Sequence, residues 1–350
     1  MSDQLAEVES RVRGAVTRAT GVDAGGWPVR RLAGHASLRS YWRVGSAPAS
    51  RVVMVMPEGA RPEEVTGGAP PVEDPFVNVQ RYLAGAGTRV PRIDAFFASE
   101  GLMVLEDLGD EMLETRLLAG DPAEPLYAEA VDRLARLRAR AERAPDPGCV
   151  AFQRSFDRTL YRWELDHFRE WLLEAWKGGA LLAAERPVVD RAFDAIADEL
   201  AAEPAGFTHR DYQSRNIMVL PGGEQVVIDF QDALLGPRQY DLVALLRDSY
   251  VELPAPLVDR MLSRYLDRLE EAGGPRLDPA EFRATFDLIT VQRKLKDAGR
   301  FVFIDRVKKN PGFLPNIPPS LRYVREAFAR RPDLAALQAI LARHVPELAG

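Results

Sequence analysis

Thr208-His209-Arg210-Asp211-Tyr212-Gln213-Ser214-Arg215-Asn216-Ile217-Met218-Val219, followed after a short break by Val226-Val227-Ile228-Asp229-Phe230-Gln231-Asp232, is the stretch on which the reading of the whole chain turns. Between its halves, Leu220-Pro-Gly-Gly-Glu-Gln has the composition of a tight reversal, so Ile217–Val219 and Val226–Ile228 are expected to pair as a hairpin. The pattern is H-R-D-x-x-x-x-N, a hairpin, then I-D-F. Transfer of a phosphoryl group needs an in-line hydroxyl and a divalent cation to neutralise the phosphates. Asp211 is placed to orient that hydroxyl or accept its proton. Asn216 offers a carbonyl oxygen and Asp229 a carboxylate, both hard ligands suited to Mg2+. Three positions with matched roles on one strand, loop and hairpin argue against a chance polar turn.

Outward from this island the chain divides in two. Residues 3–19 read as a short amphipathic helix, after which the period changes. Val29–Leu32, Tyr41–Val44, Arg51–Met56, Arg92–Ser99 and Gly101–Leu105 are short runs rich in β-formers, broken by Gly, Ser and Pro, with one helix at Phe76–Ala84. From about residue 111 the pattern turns helical over Met112–Leu118, Pro125–Arg143, Ser155–Trp176, Val188–Glu203, Leu257–Ala272, Pro279–Arg300, Ser320–Arg330 and Leu334–His344. The expected fold is α+β and two-lobed. An antiparallel five-stranded lobe over residues 1–107 precedes a larger, mostly helical lobe over 108–350 that carries the embedded hairpin. A ligand cleft belongs between them.

Composition narrows the partners. Lys+Arg 46 against Asp+Glu 52 gives a net charge of −6, the wrong sign for a nucleic-acid coat or an anionic-membrane binder. With 46% hydrophobic and 28% charged residues, the chain has the make-up of a folded globular protein. Cys149 is the only cysteine, which excludes an internal disulfide framework and a multi-cysteine metal site. No secretory signal and no 18-residue apolar run is visible, so a cytoplasmic protein is expected, as a monomer or weak dimer. Only five of the 46 basic residues are lysine, and the first is Lys177.

The island resembles the protein-kinase-like superfamily and, within it, the aminoglycoside phosphotransferase family. It is closer still to the bacterial N-acetylmuramate/N-acetylglucosamine anomeric kinases of cell-wall recycling. Ser37-Leu-Arg-Ser-Tyr-Trp-Arg-Val, Leu105-Glu-Asp-Leu-Gly-Asp, Ile228-Asp-Phe-Gln-Asp-Ala-Leu-Leu-Gly-Pro-Arg-Gln-Tyr-Asp-Leu-Val and Leu314-Pro-Asn-Ile-Pro-Pro-Ser-Leu carry the likeness from about residue 27 to 325. The resemblance implies ATP and Mg2+ as cofactors and adenine held by backbone groups of Glu106–Leu108. It also implies a phosphate cover drawn from Gly34–Arg43, and an Asp241 carboxylate that supports the catalytic loop. His209 reads as a packed loop anchor.

One departure matters. Kinases of this shape place on their third strand a lysine that grips the phosphates. Here that strand is Arg51-Val-Val-Met-Val-Met, with Met54 or Met56 at the lysine's place, and Phe76–Ala84 has no carboxylate to pair with one. Either Arg39 or Arg43 replaces the lysine, or the chain is a nucleotide-binding pseudokinase. Survival of Asp211, Asn216 and Asp229 favours replacement, since a guanidinium can hold phosphate bidentately. On the acceptor side Glu164 and Trp171 in Ser155–Trp176 could contact a sugar, although a plain amphipathic helix explains the same spacing. Gln231 and Asp232 lie just beyond Asp229 and could face metal or acceptor. Lys294–Arg306 with Lys308-Lys309 reads as a solvated basic face, with an acidic substrate as the alternative. The expected activity is ATP-dependent phosphorylation of an amino sugar's anomeric hydroxyl, with aminoglycoside phosphorylation as the rival of the same class.

Overall fold

A computed structural model describes residues 2–32, 39–56 and 73–350. Most of the Pro62–Pro75 loop and residues 33–38 of the expected phosphate cover lie outside the described residues.

In the small lobe, α1 (Ser2–Thr20) precedes β1 (Val29–Arg31), β2 (Ser40–Val44) and β3 (Arg51–Val55), and α2 (Pro75–Gly85) precedes β4 (Ile93–Phe97) and β5 (Leu102–Glu106). The strands form one antiparallel sheet in the order β1-β2-β3-β5-β4. Its side chains alternate. Trp42, Val44, Val53, Leu102 and Val104 pack against Val12, Ala15 and Val16 of α1. Met54, Met103 and Leu105 face the other way, into a core continuous with the helical lobe. The five expected strands are present, each within about two residues of the expected limits.

The large lobe contains α3 (Leu113–Leu118), α4 (Ala123–Arg143), α5 (Arg158–Phe168), α6 (Arg186–Ala202), α7 (Tyr240–Leu246), α8 (Ala255–Glu271), α9 (Pro279–Lys308), α10 (Ile317–Phe328) and α11 (Ala335–His344). The hairpin pairs β7 (Ile217–Val219) with β8 (Gln225–Val227), and a second small ladder pairs β6 (Gly206–Thr208) with β9 (Leu234–Gly236). Helix α5 starts at Arg158, not Ser155, because the Asp157 carboxylate caps the Leu160 amide at 2.7 Å while Ser155 bridges to Leu235. Beyond Phe168 it widens into a π-helical stretch, Arg169–Trp176.

Helix α9 is the axis of this lobe. It runs 30 residues, past the expected end at Arg300, and buries side chains on all sides around Phe286, Leu288, Ile289 and Val291. At Gly299 the backbones of α5 and α9 touch: a Cβ there would lie 2.7 Å from the Phe168 Cα and 2.8 Å from the His167 carbonyl oxygen. Helix α2 joins the lobes, its Phe76 ring packing 4.7 Å from Phe230. Among the described residues no helix is long and apolar enough to cross a membrane.

Candidate active site

The catalytic-loop sequence leaves β6 and enters β7 through a single 3-10 turn, Ser214–Asn216. The backbone takes costly conformations at Arg210 in this loop, φ +79°, and at Asp229 just after the hairpin, φ +63°, where non-glycine residues are uncommon. Two buried carboxylates hold the loop. Asp241, at the start of α7, accepts from the amides of His209 at 2.7 Å and Arg210 at 2.9 Å. Asp248 accepts from the Ser214 amide at 2.9 Å and its hydroxyl at 2.5 Å. Burial raises both pKa values, against these hydrogen bonds. The His209 ring lies on the Ile228 carbonyl at 3.0 Å, and the Ile228 amide donates to the Asn216 carbonyl at 2.9 Å, so loop and hairpin move together.

Asp211, Asn216 and Asp229 converge. The Asn216 side-chain nitrogen donates to the Asp211 carbonyl at 2.9 Å and lies 3.5 Å from an Asp229 carboxylate oxygen, which leaves the Asn216 oxygen as a free ligand. Gln231 bridges Asp229 at 3.0 Å and Asp232 at 2.9 Å through one amide group. Asp229 keeps exposed surface while neighbouring protein crowds its carboxylate. That enclosure, then the charges of Asp211 and Asp232, raises its pKa to about 6, against the Gln231 bond and Arg39. Crowded carboxylates beside a hard amide oxygen are the donor set a divalent cation relieves. For Asp211, enclosure pushes the pKa up, but Arg293, Lys296 and Arg210 outweigh it and leave the carboxyl below its usual range.

On the nucleotide side, Met54 is fully buried in the sheet core, so no cation stands at the usual strand position. Arg39, Tyr41 and Arg43 fall on one face by strand alternation. The Arg39 guanidinium bonds the Tyr41 hydroxyl, and its charge acts on Asp229. Arg43 is engaged elsewhere. Its Nε and Nη2 meet Asp107 at 2.7 and 2.8 Å, and its Nη1 meets Asp110 at 2.7 Å. Every nitrogen of Arg43 therefore braces the segment between the lobes, which corrects its assignment to the phosphates. Glu106 gives its amide to the Arg92 carbonyl at 3.0 Å, and its carboxylate clasps Arg89 at 2.5 and 3.0 Å. Leu108 packs with Met218 and Val226 of the hairpin, beneath the same segment.

The acceptor side differs from expectation in two ways. Glu164 is fully buried and takes a bond from Gln292 at 2.7 Å, with Arg210 at 3.7 Å, so it is closed to a sugar. The stretch expected to be a solvated basic face is in part the lobe's interior, with Lys294 buried, as is Arg293 just before it. Trp171 is half-buried, edge-on to Phe303 at 5.0 Å and beside His167. The residues missed are those of α9 that back the catalytic loop. Arg293 donates to Asp211 at 3.1 Å and to the Arg210 carbonyl at 2.8 Å, and Asp297 holds Lys294 at 2.8 Å and Lys296 at 3.3 Å. A signal existed: a helix apolar on every side must bury any charge in its middle.

Loop, hairpin and sheet lobe together fit a two-lobed phosphotransferase that acts on a hydroxyl group and draws on a nucleotide. The chain matches the phosphotransferase enzyme family over residues 28–280 and belongs to it. It is 36% identical over 322 residues to an N-acetylmuramate/N-acetylglucosamine kinase of Pseudomonas aeruginosa, covering 88% of this chain and 86% of the relative. It is 33% identical over 313 residues to a kinase of the same description from Pseudomonas putida, covering 88% and 85%. Solved structures that share the fold include the choline kinase LicA of Streptococcus pneumoniae, with TM-score 0.61, 14% identity and 96% and 99% coverage. An ADP-bound aminoglycoside phosphotransferase matches with TM-score 0.57, 13% identity and 91% and 99% coverage.

Proposed function

We propose that this enzyme uses ATP and Mg2+ to phosphorylate the anomeric hydroxyl of N-acetylmuramate or N-acetylglucosamine during cell-wall recycling. The observation that carries the reading is the Asp211 carboxylate, flanked by Arg293 and held below its usual pKa beside Asn216 and Asp229. Such a carboxylate orients a hydroxyl well and deprotonates it poorly. An anomeric hydroxyl, made more acidic by the ring oxygen, needs the least help, and a loose transition state rewards positioning over basicity. The Pseudomonas relatives supply the sugar.

In this reading Asn216 and Asp229 hold Mg2+, which neutralises charge on the phosphates. Gln231 and Asp232 steady Asp229, and Arg39 takes the place of the strand lysine. Adenine lies against Glu106–Leu108, and Trp171 flanks the acceptor. The lobes divide near residues 107 and 108. The net charge of −6 supports small-molecule partners over nucleic acid, and the enzyme is read as a cytoplasmic monomer or weak dimer. An aminoglycoside is a poorer acceptor here, because Arg293 and Lys296 put positive charge next to Asp211.

The test is ATP with a panel of free sugars and aminoglycosides, assayed for ADP release and for acid lability of the new phosphate. A sugar 1-phosphate hydrolyses readily in acid. An acid-stable ester, or turnover of aminoglycosides alone, would overturn the proposal.

A further inference from the structure

We infer that Arg293 is a positioning residue for phosphoryl transfer, holding one oxygen of the Asp211 carboxylate so that the other is aimed at the acceptor hydroxyl. The inference rests on the reading of Asp211 as the group that meets that hydroxyl.

The argument begins with location. Arg293 lies in the middle of α9, 82 residues from Asp211 in sequence, and only 1% of it is exposed. A buried guanidinium is costly unless its donors and charge are matched. Both of its terminal nitrogens are matched at the catalytic loop. Nη1 reaches the Arg210 carbonyl at 2.8 Å and Nη2 reaches Asp211 Oδ1 at 3.1 Å. One planar fork therefore grips both the backbone just before Asp211, at its left-handed residue, and the side chain of Asp211 itself.

The counter-charge points the same way. Asp297 lies 4.0 Å from the Arg293 Nε, but it also serves Lys294 at 2.8 Å and Lys296 at 3.3 Å. One carboxylate shared by three cations leaves Asp211 as the nearest anion of Arg293. The Tyr240 ring lies 4.9 Å from the guanidinium carbon and limits its tilt. The support is stiff, since α9 is buried along this stretch and its backbone meets that of α5 one turn and a half further on, at Gly299. Asp211 is thus oriented from an element outside its own loop, a condition for holding a reacting hydroxyl to within tenths of an ångström.

The inference is tested by steady-state kinetics of Arg293→Met and Arg293→Lys, each in the wild-type and Asp211→Asn backgrounds, with nucleotide binding as the check of folding. For Arg293→Met, kcat should fall about 10- to 100-fold, the range for losing a charge-assisted hydrogen bond, while KM for ATP and sugar stays within roughly threefold. Arg293→Lys should recover part of kcat. In the Asp211→Asn background the same changes should cost about threefold or less, because the partner is already altered. Equal losses in both backgrounds, or a rise in KM with kcat intact, would overturn the inference. If Arg293→Met does not fold, Arg293→Lys decides by the same comparison. Wild-type turnover by Asp211→Asn alone would instead bring down the reading of Asp211, so the two failures are distinguishable.

Discussion

Arg43 in the small lobe and Arg293 in the large one are both tied to aspartates, yet they lie on opposite sides of the chemistry. Arg43 meets Asp107 and Asp110, about 65 residues away in the stretch that follows the last strand of the sheet, and braces that stretch. Arg293 meets Asp211, the carboxylate proposed to orient the acceptor hydroxyl, from a distant helix. The sequence offers Arg43 beside Arg39 as a candidate, because both lie near the place of the missing lysine. The structure gives Arg43 a bracing role and brings forward an arginine that no local pattern marks. An arginine's role follows from which carboxylate it meets.

The hardest blow to this comparison is Asp211→Asn. Turnover should fall about 10²- to 10⁴-fold with nucleotide binding retained, measured by ADP release and calorimetry. Unchanged turnover would remove the catalytic end of the contrast and leave a nucleotide-binding pseudokinase. Next, Arg39→Ala should raise the KM for ATP about tenfold, the effect of about 1.4 kcal/mol. Arg43→Ala should instead lower stability by about 1–3 kcal/mol in denaturant unfolding, since it takes the counter-charge from the largely enclosed Asp107 carboxylate. The opposite pattern would return Arg43 to the phosphates.

A smaller effect concerns the support of α9. Gly299→Ala should destabilise by about 1–3 kcal/mol, because a methyl group there meets backbone that cannot turn aside. It should also reduce kcat more than KM, as α9 shifts beneath Asp211.

The smallest effect is on pH. Burial raises the Asp107 carboxyl, but Arg43, Ser50 and the Gly109 amide bring it below its ordinary value, and the Arg43 bond does the same for Asp110. Depressed carboxyls contribute stability that is present above the unfolded value, about pH 4, and is lost as pH falls through the folded values. Asp241 and Asp248 are raised by burial and work in the opposite sense. The melting temperature should therefore drop below about pH 4, and less steeply in Arg43→Ala.

Much of this was legible in sequence, for reasons that can be named. The hairpin announced itself through Pro221, Gly222 and Gly223, and the loop through residue types with matched roles at Asp211, Asn216 and Asp229. Strand alternation set Arg39 and Arg43 on one face but could not say which carboxylates Arg43 would meet. Helix α7 escaped because every residue from Tyr240 to Leu246 is buried, which erases the amphipathic period. Strand β9 escaped because its partner Gly206–Thr208 lies nearly thirty residues earlier. Arg293 and Asp248 escaped for the same reason, since a contact between distant segments has no local signature.

The central claim is that the phosphoryl group goes to an anomeric oxygen. The direct measurement is the phosphorus–proton correlation spectrum of the product formed from ATP and N-acetylmuramate or N-acetylglucosamine. The account predicts a phosphorus coupled to the sugar's H1 and lost on brief acid treatment. Phosphorus coupled to the C6 protons, in an ester that survives the acid, would contradict it.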